Sequence, residues 1–141
     1  MNANIIIENG DLSLEDIISI WKSKETINLS DVLWQNVSES RTVLEKLLSI
    51  GGNSIYGINT GFGSLCNTVI PEFELDQLQY NLVRSHACGT GNYISKESSR
   101  LVLLLKIISL SKGNSCIRSE TLQFLIKLYN EDIIPAIPEM G

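Results

Sequence analysis

Residues 56–63 read Tyr-Gly-Ile-Asn-Thr-Gly-Phe-Gly. Glycine at this density lets the backbone approach a ligand closely or hold left-handed dihedrals. The tyrosine that opens the run, Tyr56, adds a hydroxyl that can exchange a proton. Gly57, Gly61 and Gly63 follow the order G-x-x-x-G-x-G. No Gly-Lys-Ser/Thr follows, so this is not a Walker loop, and the dinucleotide fingerprint needs other spacing and a preceding strand where a helix is expected here. Tyr56 is therefore either a packed aromatic in an irregular surface loop or a functional hydroxyl. The single histidine, His86, lies in "NLVRSHACGTG". With Leu75, Leu78 and Leu82 it repeats every three or four residues, which places it on the apolar face of a helix near its C-terminal end. A helix C-terminus favours the imidazolium, whereas burial favours the neutral ring. One reading is a core histidine hydrogen-bonded to a carbonyl; the other is a pocket-lining imidazole. Cys66, Cys88 and Cys116 show no ligand spacing, and one histidine is too few to complete a zinc site with them. No metal is expected, and the odd number of thiols fits a reduced, cytoplasmic protein.

The elements that must position these residues are mostly helical. "NIIIE" and "TINLS" are short β-like runs and predict a small N-terminal β element. "SLEDIISIWKSK" between them reads as a helix capped by Ser13, with Asp16 in the place of a capping-box partner. A second helix follows Ser30, with Leu33, Val37, Leu44, Leu47 and Leu48 near one face and Gly51 and Gly52 as its stop. The glycine-rich tyrosine loop spans 51–70. A third helix is expected from about Phe73 to Cys88, a fourth from about Ser95 to Lys112 and a fifth from Ser119 to about Glu131. The fourth is apolar on almost every side, interrupted by Ser99, Lys106 and Ser109, and such a helix is normally buried all round. Four neighbouring helices could hardly enclose it, which implies a larger protein or an intimate oligomer. The fold class is mainly α: a helical bundle with a small N-terminal β element.

Composition removes several functions. The 141 residues are 43% hydrophobic and 19% charged, as in globular chains. A net charge of −5 with scattered basic residues argues against a nucleic-acid surface. The N-terminus lacks the charged start and apolar core of a signal peptide. "LVLLLKIISL" carries Lys106 and falls far short of the ~20 residues that span a bilayer, so no membrane partner is expected.

In chain order, "YGINTGFG", "LQYNLVRSHACGTG", "LLLKIISLSKGNSCIR" and "IIPAIPEMG" resemble the N-terminal part of the histidine ammonia-lyases, within the wider family of aromatic amino acid lyases and aminomutases. The resemblance covers nearly the entire chain and is strongest from Tyr56 onward. It implies that residues 1–141 are the N-terminal segment of a longer all-α lyase. Its electrophile would be a methylidene-imidazolone formed from an Ala-Ser-Gly that follows Gly141. It implies that Tyr56 is the catalytic base that removes the substrate's β-proton, and that His86 is substrate-binding. Histidine lyases carry a Ser-His pair, here Ser85-His86, where tyrosine and phenylalanine lyases carry other pairs. The implied reaction is elimination of ammonia from L-histidine to give urocanate, by a cytoplasmic homotetramer with no metal. The chain alone, without the electrophile's precursor, is expected to be inactive. The alternatives are another lyase or aminomutase of the family, or a non-catalytic helical piece used only for assembly.

Overall fold

The computed structural model describes residues 4–23, 25–50, 54–63 and 66–140. The expected helix stop at Gly51 and Gly52, parts of the 51–70 loop and Gly141 lie outside the described residues. The chain divides into two compact units, residues 1–46 with 93–137, and residues 47–92 with 138–141.

In the first unit, β1 (Asn4–Ile7) pairs in parallel with β2 (Thr26–Leu29), Asn4 opposite Thr26 through to Ile7 opposite Leu29. Parallel neighbours need a crossover, and α1 (Leu14–Lys22) supplies it. Its start is fixed by a reciprocal cap. The Ser13 hydroxyl accepts from the Asp16 amide at 3.1 Å, and the Ser13 amide donates to Asp16 Oδ2 at 3.0 Å. α2 (Asp31–Ile50) buries Leu33, Val37 and Leu44 at helical spacing. Leu47, expected on the same face, is exposed.

α4 (Lys96–Ser111) starts at the Ser95 cap, and α5 (Ser119–Asn130) packs against it. The core joins Ile7, Ile27 and Leu29 of the strands to Leu33 and Val37 of α2, Leu104 and Ile107 of α4, and Leu122 and Tyr129 of α5. The Asn130 side chain pins β2 from the end of α5: its Oδ1 accepts from the Ile27 amide at 2.8 Å and its Nδ2 donates to the Ile27 carbonyl at 2.9 Å. α4 is not buried on every side. Leu103, Leu104, Ile107 and Leu110 face the core, whereas Val102 and Leu105 are exposed because α1 and α5 cover only one side.

The second unit holds the tyrosine loop, a 3-10 turn at Glu72–Glu74 and α3 (Leu75–His86). α3 ends at His86, two residues before the expected Cys88. A second small sheet, absent from the sequence expectation, pairs β3 (Thr90–Tyr93) with β4 (Pro138–Met140). The two strands are short and far apart in sequence. The fold is mainly helical, as expected, with two small sheets rather than one.

Candidate functional site

Tyr56 stands at the head of a tight turn. The Ile58 and Asn59 amides both donate to the Ile55 carbonyl, at 3.0 and 3.2 Å, and Asn59 Oδ1 accepts from the Ile55 amide at 2.7 Å. Gly57 follows with φ +75°, a left-handed conformation that glycine adopts without the steric cost of a Cβ. The chain then returns. The Thr60 hydroxyl accepts from the Gly57 amide at 3.3 Å and donates to the Gly61 carbonyl at 3.0 Å. Thr60 also forms an antiparallel bridge with Val69, flanked by Gly61 N–H to the Thr68 carbonyl at 3.2 Å and Ile70 N–H to the Asn59 carbonyl at 2.9 Å.

This scaffold presents rather than buries the tyrosine. Tyr56 is 65% exposed, and its ring meets Phe62 edge-on with centroids 5.7 Å apart. Sequence reasoning assigns no chemistry to Asn59, Thr60, Gly61 or Phe62. A buried threonine hydroxyl between two backbone groups has no periodicity by which a sequence could reveal it.

His86 is the last residue of α3 and is exposed, so it is not a core histidine. The apolar spacing of Leu75, Leu78 and Leu82 is real, yet these leucines are only half-buried and α3 buries no residue fully. Too little of the described chain packs on that face. The carbonyl bond expected of His86 is present: Nδ1 lies 2.9 Å from the Leu82 carbonyl oxygen and 3.0 Å from Ser85 Oγ. Ser85 Oγ donates to the same carbonyl at 2.9 Å. A carbonyl can only accept, so the tautomer that donates from Nδ1 to Leu82 leaves Nε2 as the acceptor, whereas the other tautomer accepts on Nδ1 from Ser85 Oγ. Tyr56 and His86 fall in the same unit, each held by its own local bonds.

A cavity of about 650 Å³ opens in the other unit, lined by Trp21, Glu97, Arg100 and Asp132 among others, and contains neither Tyr56 nor His86. Several of its polar groups pair with neighbouring residues. Arg100 donates to the Tyr129 carbonyl and to Asp132, Lys96 pairs with Asp132, and Trp21 Nε1 donates to the Glu97 carbonyl. Among the described residues there is no cluster of histidine, cysteine and carboxylate that could hold a metal, and no helix is long and apolar enough to cross a membrane.

A family model described as aromatic amino acid lyase matches residues 12–141. Histidine ammonia-lyase of Shewanella woodyi is 41% identical over 139 residues, covering 99% of this chain and 27% of that protein. Among solved structures, the phenylalanine aminomutase of Pantoea agglomerans superposes with a TM-score of 0.89 at 36% identity, covering 97% of this chain and 27% of its own. Histidine ammonia-lyase of Trypanosoma cruzi gives 0.82 at 34% identity, covering 99% and 27%. The chain thus spans little more than a quarter of the length of the relatives it matches.

Proposed function

Because the chain belongs to the aromatic amino acid lyase family, we propose that it forms part of a histidine ammonia-lyase, which eliminates ammonia from L-histidine and leaves urocanate. The observation that supports the reading is Tyr56, an exposed phenol at the head of a braced glycine turn, to which the family resemblance gives the role of base. Tyr56 takes the β-proton of the substrate on its phenolic oxygen. A general base works only when it is held within hydrogen-bond reach of the proton it takes, so the orientation of this phenol matters to the step. Closure over the turn excludes water, which would otherwise compete for that oxygen.

His86 receives the substrate's side chain. In the tautomer that donates from Nδ1 to the Leu82 carbonyl, Nε2 is the atom that accepts from the N–H of the substrate imidazole. A desolvated imidazole needs such a partner, which an aliphatic residue cannot supply. The remaining chemistry belongs to a methylidene-imidazolone, an electrophile that binds the amine and turns it into a leaving group. None of the chain's alanines, Ala3, Ala87 and Ala136, is followed by Ser-Gly, so these residues do not form that group. Tyr56 and His86 act on the substrate alone. The same resemblance supports a homotetramer in the cytoplasm, and the free thiols of Cys66, Cys88 and Cys116 are consistent with a reducing compartment.

The likeness to an aminomutase favours a second reading, in which the amine is returned to the β-carbon rather than released. Incubating the full-length protein with histidine, phenylalanine and tyrosine separates the two. A histidine ammonia-lyase releases urocanate and ammonia, with a specificity constant for histidine at least ~10²-fold above the others. A β-amino acid product would establish the aminomutase. Absence of turnover with all three would leave a protein that only assembles.

A further inference from the structure

We propose that Thr60 is a positioning residue for Tyr56, its hydroxyl holding the turn from which the phenol is presented. Thr60 is completely buried, in a loop whose tyrosine four residues earlier is 65% exposed. Its backbone is held on both sides by the bonds from Gly61 to Thr68 and from Ile70 to Asn59. From that fixed point Oγ1 accepts from the Gly57 N–H and donates to the Gly61 carbonyl. The Gly57 N–H belongs to the peptide that joins Tyr56 to Gly57. Anchoring it fixes the ψ angle of Tyr56, while the bonds to the Ile55 carbonyl limit the rest of the turn. A hydroxyl is needed, because the anchor must accept from one backbone group and donate to another. A side chain of the same shape without oxygen leaves both groups without that partner, and the turn is free to rotate the Tyr56 ring away from Phe62.

The catalytic half of this proposal rests on Tyr56 being the base; the conformational half rests on geometry alone. Thr60→Val and Thr60→Ser test it together. The Tyr56 ring resonances, read by NMR after selective labelling of tyrosine, and kcat and KM for histidine are all measured in the full-length protein. The Phe62 ring is expected to displace the Tyr56 resonances in the parent, and Thr60→Val to move them to those of a free tyrosine. It is also expected to lower kcat by ~10-fold to ~100-fold with KM little changed, the cost of misplacing a reacting group by about 1 Å. Thr60→Ser is expected to retain both. If both variants keep the parental resonances, or both lose them, the hydroxyl is not the anchor and the proposal is overturned. If Thr60→Val alone shifts the resonances while Tyr56→Phe leaves turnover intact, the anchor stands and the assignment of Tyr56 as base fails.

Discussion

Tyr56 and Phe62 meet edge to face, with ring centroids 5.7 Å apart and planes inclined at 66°. Such pairs contribute ~0.5–1.5 kcal/mol beyond the area they bury. Here the contact orients a ring that remains 65% exposed. The left-handed Gly57 lies within the turn from Ile55 to Asn59, with the Phe62 ring 3.5 Å from where a Cβ would stand. The turn therefore holds a phenol in a defined direction without desolvating it, which supports the proposal that Tyr56 is the base.

His86→Leu in the full-length protein is expected to lower the ratio of specificity constants for histidine over phenylalanine by ~5-fold to ~150-fold. That range corresponds to the ~1–3 kcal/mol lost when a buried polar group has no partner. Among the described residues the ring is exposed and packs in no core, so the substitution removes no core contact of this chain. Steady-state kinetics on both amino acids with both proteins checks it, and an unchanged ratio would remove His86 from the pocket.

Gly113→Ala is expected to destabilise the chain. Gly113 has φ +77°, and a Cβ there would lie 2.8 Å from the Asn36 carbonyl oxygen. The left-handed conformation costs a residue with a Cβ ~1–2 kcal/mol, and forcing atoms into filled space adds ~1–3 kcal/mol. Gly10→Ala, where a Cβ would meet nothing within 4 Å, is the control and should be near neutral. Thermal unfolding followed by circular dichroism should give Gly113→Ala a Tm lower by several degrees; equal values for the two variants would contradict this.

The parts of the fold that repeat were legible in the sequence. Leu33, Val37 and Leu44 recur at helical spacing and are buried, and Ser13 with Asp16 forms the reciprocal cap that the residue types suggest. Spacing does not say what covers a face, which is why Leu47 and His86 follow their patterns and are nevertheless exposed. The second sheet escaped notice for another reason. Thr90, Gly91 and Asn92 make a poor strand by composition, and their partner begins with Pro138, a residue tolerated at the first position of a strand. At the site, glycine density marked the loop and the tyrosine within it. The Thr60 anchor depends on a hydroxyl reaching across a turn, which only coordinates reveal.

Asp132 sets an acid dependence. Its carboxyl is held below the usual carboxylate range, chiefly by the hydrogen bond from Lys96 and further by the charges of Lys96 and Arg100. A depressed pKa in the folded state means that the stabilisation is present above the unfolded value, near ~3.9, and is lost as pH falls through the folded one. Asp132→Asn keeps a side chain that tolerates the φ of +56° found there. It is expected to lower Tm slightly at neutral pH, with the difference vanishing in acid below the normal carboxylate range. A Tm difference that is the same at neutral and acid pH would contradict the assignment.

Urocanate formation by the full-length protein carrying Tyr56→Phe is the most direct test of Tyr56 as the base. The substitution removes one oxygen and leaves the ring, its volume and its edge-on contact with Phe62 in place. Turnover of L-histidine is expected to fall by ~10²-fold to ~10⁴-fold, the usual contribution of a general base, with Tm and circular dichroism unchanged. Turnover within about threefold of the parent, far less than a general base contributes, would show that the β-proton leaves by another route.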